Sequence, residues 1–265
     1  MDYHVHTDYS SDAISPMQKV IEAAILNNVE ALAITDHFEV GDMYDVDGAY
    51  ATYNVIKELY NDKIDLSYGV EIGDPYRDPV LAADVLDKIP FDFVLASCHY
   101  CDGPYWTRNF KTTNKDEFMQ HYFDNLNLIL DFGNFDCFAH LDLPKRYMSS
   151  VGVSLDILSE YPEQTEQVLM RAIAEGKGLE VNTSGLRPYT NGDMMGETMP
   201  NMNVIELYKK LGGTIVTVGS DSHNKNDVGK NCVDALDCLK KAGFDEVATF
   251  KGRKCKFETI EIEYE

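Results

Sequence analysis

The chain has no run of about 18 consecutive apolar residues, so it offers no candidate membrane-spanning helix. Positive charge is scarce: 23 Lys+Arg stand against 45 Asp+Glu, a formal net charge of −22 at pH 7. Gripping duplex nucleic acid takes a basic face for the phosphates, and this balance argues against such a partner. The opening residues Met1-Asp2-Tyr3-His4-Val5-His6 have neither the basic nor the apolar stretch of a secretory leader. Cysteine is thin and scattered, at 98, 101, 137, 232, 238 and 255. That is no disulfide framework, and reduced thiols in a cytoplasmic protein are expected. Cys98-x-x-Cys101 has no second pair to complete a structural zinc site, and Cys98 lies in an apolar strand, so it reads as core.

With 44% hydrophobic and 26% charged residues over 265 positions, the composition is that of a globular protein with ample core. Short apolar runs alternate with amphipathic stretches along the whole chain. The spacing predicts strands over 2–6, 30–35, 65–71, 92–98, 135–140, 178–183 and 214–219. It predicts helices near 15–28, 47–61, 79–88, 114–131, 162–176, 201–211 and 227–242. Phe118, Tyr122, Leu126 and Ile129 show the helical period, while Pro162 can open a helix that Gly176 closes. Seven βα units in series read as parallel strands with helical crossovers, an α/β barrel-like single domain over 1–265. The segments 246–251 and 255–264 flank Gly252 and suit a final hairpin.

Metal-ligand side chains recur at the downstream ends of these strands. His4 and His6 end the first, Asp36 and His37 follow the second, and Glu71 ends the third. His99 ends the fourth, His140 the fifth, and Asp221 with His223 follow the seventh. In parallel α/β barrels these ends open onto one face, where active sites are built, so residues over 200 positions apart would converge. Positions i and i+2 of a strand point the same way, which pairs His4 with His6 and Asp221 with His223. A lone histidine at a strand end is more often structural than ligating. Six of seven histidines in that one position point to metal, and only His121, within a helix, is assigned to a solvated face. Five or more imidazoles with three or more carboxylates exceed one tetrahedral ion's needs, so a multinuclear cluster is expected.

The ordered motifs HVHTDYSSD (4–12), ITDH (34–37), GVEIG (69–73), SCHY (97–100), AHLD (139–142) and GSDSH (219–223) resemble the PHP (polymerase and histidinol phosphatase) family. EVNTSGLR (180–187) and the standalone length are most similar to its histidinol-phosphate phosphatase branch. The resemblance implies a distorted (β/α)7 barrel with three divalent metal ions (Zn, Fe or Mn) at the C-terminal ends of the strands. By motif, His4, His6, Glu71 and Asp221 would hold the first ion. Glu71 would bridge to a second, completed by His99 and His140, and Asp12, His37 and His223 would hold the third. Some relatives carry His where this chain has Asp12, which makes the third site harder and more acidic.

Three cations can generate hydroxide near neutral pH and neutralise a phosphoryl group, so direct attack by a metal-bridging hydroxide on a phosphomonoester is expected. Ser97, Ser220 and Ser222 show no activating triad. Arg187 is the first choice for a bidentate phosphate clamp and Arg146 the second, among the post-strand arginines that also include Arg77 and Arg108. Asp142 suits the general acid for the leaving alkoxide, or a carboxylate that orients His140. Glu39, Asp74, Tyr100 and Trp106 could meet the ammonium and imidazole of histidinol phosphate. The expected partner is thus a small phosphorylated metabolite, with no nucleic acid and no membrane. Competing readings are a related phosphoesterase for another metabolite or nucleotide, an amidohydrolase, and a non-catalytic metal-stabilised accessory module. No lysine sits at a strand end to form a bridging carbamate, which disfavours the amidohydrolase, and the full ligand set disfavours the module.

Overall fold

Parallel β-pairing begins at the second residue and runs through most of the chain. The strands are β1 (Asp2–Val5), β2 (Ala31–Ile34), β3 (His37–Glu39), β4 (Asp65–Gly73), β5 (Phe93–Ser97), β6 (Cys137–Phe138), β7 (Gly178–Asn182) and β8 (Val216–Gly219). The structure is a computed structural model that describes residues 1–41, 44–100, 114–148, 154–188 and 195–262. The sheet order is β1-β2-β4-β5-β6-β7-β8, with β3 also against β4, every pair parallel. The far edges meet: Val5 bridges Ser222, the His6 N–H donates to the Ser222 carbonyl at 2.9 Å, and the Asp221 N–H donates to the His4 carbonyl at 2.7 Å. The result is the distorted seven-fold α/β barrel the sequence led us to expect.

Eight strands appear where seven were predicted, because the second is broken rather than extended. Ile34 pairs with Tyr68 and His37 with Glu71, one unchanged register on either side of the gap. Within the gap the Asp36 side chain turns back to accept from the Thr7 N–H (2.7 Å), the Thr7 hydroxyl (2.7 Å) and the Ser10 hydroxyl (2.6 Å). The fifth predicted strand, 135–140, shortens to Cys137–Phe138 as the chain bends at His140 (φ 20°).

The helices are α1 (Met17–Leu26), α2 (Val46–Tyr60), α3 (Pro79–Lys88), α4 (Lys115–Phe132), α5 (Pro144–Met148), α6 (Pro162–Ala174), α7 (Met202–Lys210) and α8 (Cys232–Lys241). Helix α4 starts where Asn114 accepts from the Glu117 N–H and ends at Gly133, whose φ of 69° stops the coil. Between these ends Phe118, Met119, Tyr122, Phe123, Leu126, Ile129 and Leu130 form one buried stripe. Pro162 occupies the first turn of α6, and Gly176 (φ 69°) follows its end.

The predicted hairpin is β9 (Glu246–Lys251) and β10 (Lys254–Thr259), joined by Gly252 and Arg253, both at positive φ as a two-residue turn requires. It closes the N-terminal end of the barrel. The Phe250 carbonyl accepts from Ser67 Oγ (3.0 Å), its N–H donates to Tyr3 Oη (3.2 Å), and its ring lies 4.8 Å from that of Phe93. Tyr3, Ala33, Phe93, Leu95, Cys137, Ala139, Ala248 and Phe250 thus fill the lower interior. Strand alternation places Ser67, Gly69, Glu71 and Gly73 on the inner face of β4, so Glu71 stands above this plug on the floor of the open end. Cys98 is buried in the core as expected, and Cys101 lies outside the described residues.

Candidate metal centre

One fully buried carboxylate organises the open end. Glu71 Oε2 lies 3.2 Å from His4 Nε2, 3.5 Å from His6 Nε2 and 2.9 Å from His37 Nδ1. Its Oε1 lies 3.0 Å from His140 Nε2 and 3.5 Å from His99 Nε2. Asp221 Oδ1 completes the first side, 3.7 Å from His4 Nε2 and 3.4 Å from His6 Nε2. Toward the mouth, Asp12 Oδ1 is 3.7 Å from His37 Nε2, and its Oδ2 is 3.5 Å from His223 Nε2. All nine candidate ligands therefore stand in one cluster, drawn from six strand ends and the turns beside them. It grades from Glu71, His4 and His6, which are fully buried, to His223 at 30% and Asp12 at 40% exposure, so the third group faces the entrance.

The local chain makes this possible. The Asp36 bonds hold the loop after β1 so that Ser10 Oγ reaches His6 Nδ1 at 3.2 Å. Asp36, read from the sequence as one more candidate ligand, thus has both oxygens engaged by Thr7 and Ser10 and is a scaffold residue. Asp221 adopts a left-handed backbone (φ 54°), costly for a residue with a Cβ, and closes the barrel through its own N–H.

Hydrogen bonding decides which imidazole nitrogen faces inward. His4 Nδ1 bonds Glu180 Oε1 at 2.7 Å, and His99 Nδ1 bonds Glu39 Oε1 at 2.5 Å. A nitrogen that donates to a carboxylate leaves a lone pair on Nε2, and both Nε2 atoms point at Glu71. Acceptor thus faces acceptor. Among the described residues neither buried Glu71 oxygen has a properly aligned hydrogen bond. Burying such a group without a partner costs several kcal/mol, on the order expected for an ion in a dry interior, and coordination to a cation removes that cost. The nitrogen and oxygen donors fit divalent metal ions.

Metal-free, the cluster holds protons instead. Burial alone would lower His99 and His37, but carboxylates, chiefly Glu39 for the first and Glu71 for the second, push them up to about 10 and about 9. Burial opposes ionisation of Glu71 as well, yet the charge on His4 and His37 holds it well below the usual carboxylate range.

Both arginines singled out from the sequence reach this cluster. Arg187 Nη2 donates to the carbonyls of Ser220 (2.6 Å) and Asp221 (3.4 Å), while its buried Nη1 has no hydrogen-bond partner among the described residues. Arg146 Nη1 donates to the Asp221 carboxylate (3.3 Å) and to Ser184 Oγ (3.2 Å). Asp142 is buried against Lys145 Nζ (2.7 Å) and the Asn201 N–H (3.2 Å), and among the described residues no hydrogen bond joins it to the His140 ring. Glu180 instead accepts the His140 N–H at 2.8 Å.

Asp74 accepts from the His99 N–H and from Tyr76 Oη, and the Arg77 guanidinium lies 3.9 Å from the Tyr100 ring centre. Ser220 Oγ is taken by Asp2, which gives it no nucleophilic role. Trp106 and Arg108 lie outside the described residues. His121 sits half-buried on α4 rather than on a fully solvated face, and it belongs to none of the metal-ligand groups among the described residues.

Glu180 and Glu39 were the residues sequence reasoning missed or misplaced. Glu180 had a visible signal, a lone charge inside the apolar run Gly178-Leu179-Glu180-Val181, where a barrel strand buries both faces. Glu39, two residues beyond His37 on β3, carried the same i, i+2 signal as His4 and His6.

A parallel barrel with imidazoles and carboxylates clustered at its C-terminal rim defines a metal-dependent hydrolase of the barrel class. The chain belongs to the PHP domain family, which matches residues 2–184. It is 28% identical to histidinol-phosphatase of Lactococcus lactis over 96% of this chain and 95% of that protein. A Thermotoga maritima protein named "Probable histidinol-phosphatase" is 28% identical over 94% of each. Among solved structures, histidinol phosphate phosphatase from Lactococcus lactis, in complex with zinc, L-histidinol and phosphate, superposes with a TM-score of 0.80. It is 27% identical and covers 96% of this chain and 98% of its own. Among the described residues, no helix is long and apolar enough to cross a membrane.

Proposed function

We propose that the chain is a metal-dependent phosphomonoester hydrolase that releases phosphate from L-histidinol phosphate. The convergence of nine metal-ligand side chains around the bridging position of Glu71 carries this reading. Relatives and a solved structure of that activity, matching nearly end to end, supply the substrate. The three groupings support three ions: His4, His6, Glu71 and Asp221 for one, Glu71, His99 and His140 for the next, Asp12, His37 and His223 for the last. Bound there, divalent cations supply an activated water at neutral pH and neutralise phosphoryl charge.

The protein's own groups do the rest. Arg187, whose Nη1 has no hydrogen-bond partner among the described residues, and Arg146, beside Asp221, bind and orient the phosphoryl oxygens. Asp142 gives the departing alkoxide its proton: burial raises its carboxyl, and its Oδ1 has no hydrogen-bond partner among the described residues. The buried floor of the cluster excludes water from all sides but the mouth, where Asp12 and His223 stand. One hydrophobic core extends from Val5 to Ile260, which supports residues 1–265 acting as a single unit. Among the described residues Cys137, Cys232, Cys238 and Cys255 form no disulfide, in keeping with a cytoplasmic protein.

Metal content by mass spectrometry, paired with phosphate release from L-histidinol phosphate, tests this. Expected are bound divalent ions and a kcat/KM for histidinol phosphate far above that for a generic aryl phosphate. Equal values for the two substrates would overturn the assignment of substrate, and no hydrolysis by metal-loaded protein would leave only a binding module.

A further inference from the structure

Two buried carboxylates outside the three ligand groupings stand directly behind the centre. Glu180 Oε1 holds His4 Nδ1 at 2.7 Å while its Oε2 accepts the His140 N–H (2.8 Å) and Asn182 Nδ2 (3.2 Å). Glu39 Oε1 holds His99 Nδ1 at 2.5 Å, and among the described residues its Oε2 has no hydrogen-bond partner. A glycine makes room for each. A Cβ on Gly219 would stand 2.3 Å from Glu180 Oε1, and one on Gly73 would stand 2.1 Å from Glu39 Oε2. Neither glycine has a positive φ; both lie at the ends of strands, β8 and β4, so space and not backbone freedom accounts for them.

The two carboxylate–imidazole pairs serve opposite sides of Glu71. His4 Nε2 faces Oε2, together with His6 and Asp221, and His99 Nε2 faces Oε1, together with His140. We propose that Glu180 and Glu39 are positioning residues that set the affinities of two different ions separately. Each keeps the proton of its histidine on Nδ1 and so presents Nε2 as a ligand, Glu180 on the His4 side and Glu39 on the His99 side. The inference rests on the metal-centre reading above. Glu39 also lies near enough to His37 and His99 to be a ligand itself, but its Oε1 is committed to the Nδ1 of His99, the nitrogen that faces away from Glu71.

Glu39 gives the cleaner test because, among the described residues, its carboxylate bonds one partner, whereas that of Glu180 bonds three. Wild-type, Glu39→Ala, Glu39→Gln and Glu180→Gln proteins would be stripped and titrated with zinc against a chromophoric chelator. Bound ions would be counted by mass spectrometry and located by anomalous diffraction, with circular dichroism of the metal-free forms as the check on folding. Glu39→Ala is expected to weaken one ion, on the His99 and His140 side, by about 10- to 100-fold and to spare the ion at His4 and His6. Glu39→Gln keeps an acceptor for Nδ1 and should lose clearly less, while Glu180→Gln should weaken the His4 side most and the His140 side less, through the backbone N–H that Glu180 also holds. Wild-type affinities in Glu39→Ala, or an equal loss of every ion, would overturn the proposal. A Glu39→Gln protein as impaired as Glu39→Ala would make Glu39 a direct ligand and also overturn it. If wild-type protein takes up no zinc, the metal reading itself fails and the proposal falls with it.

Discussion

A single methyl group at position 219 tests whether barrel closure and metal chemistry compete for the same space. In Gly219→Ala the new Cβ would lie 2.3 Å from Glu180 Oε1 and 2.3 Å from His4 Cβ, against 3.4 Å for ordinary contact. The Oε1 atom could swing away only by giving up His4 Nδ1, and the His4 Cβ is fixed by β1. Overpacking of this kind costs about 1–3 kcal/mol. Losing one charge-assisted hydrogen bond adds about 1.5–3 kcal/mol, a total of roughly 2.5–6. An unfolding entropy of about 2.1 cal/mol/K per residue gives roughly 0.56 kcal/mol/K for a chain this long, so Tm should fall by about 5–10 °C. Calorimetry of stripped protein reads the packing cost, and the same scan with zinc reads the additional loss of an ion on the His4 side. A Tm within about 1 °C of wild type, with metal content unchanged, would refute the idea that Gly219 clears room for the Glu180–His4 pair.

Arg187→Ala and Arg146→Ala should each lower kcat/KM for histidinol phosphate by roughly 10- to 100-fold, the worth of a lost charge-assisted contact to phosphate, in steady-state assays. Unchanged constants would remove that arginine from the phosphate site. Asp142→Asn should reduce kcat on the alkyl phosphate by about 100-fold and leave hydrolysis of an activated aryl phosphate, whose leaving group needs no proton, nearly intact. Equal losses on both would argue for a packing role through Lys145. For metal-free protein, His37 and His99 sit at about 9 and about 10, above the ordinary imidazole value of 6.5. Their stabilisation is therefore complete below that value and disappears as pH rises through 9 to 10, so the stripped protein should melt lower at pH 10 than at pH 7. Zinc uptake near pH 7.5 should correspondingly expel roughly two protons from these rings, measurable by calorimetry in buffers of different ionisation enthalpy. Uptake without proton release would contradict the raised values of His37 and His99.

Much of the site was legible because its ligands lie at strand ends. His4, His6, Glu71, His99, His140, Asp221 and His223 each follow or close an apolar run, and a parallel barrel brings such ends to one rim whatever their distance along the chain. Asp36 misled for the opposite reason. An aspartate beside a histidine reads as a ligand pair, but its role depends on Thr7 and Ser10, which the fold brings from the previous loop. Asp142 shows the same limit: its nearness to His140 in sequence suggested a partner, and the partner in space is Lys145.

Local chemistry along the chain was sufficient to determine the alternation of strand and helix, the closing hairpin about Gly252 and the list of candidate ligands. Period, turn residues and residue type are properties of neighbours in sequence. Tertiary structure alone decided which imidazole nitrogen faces Glu71, that Glu180 and Glu39 stand behind His4 and His99, and that Gly219 and Gly73 clear space for them. Those facts are contacts across strands, 176 positions apart for His4 and Glu180 and 60 for Glu39 and His99, and no local pattern encodes the distance between two side chains until the barrel has closed.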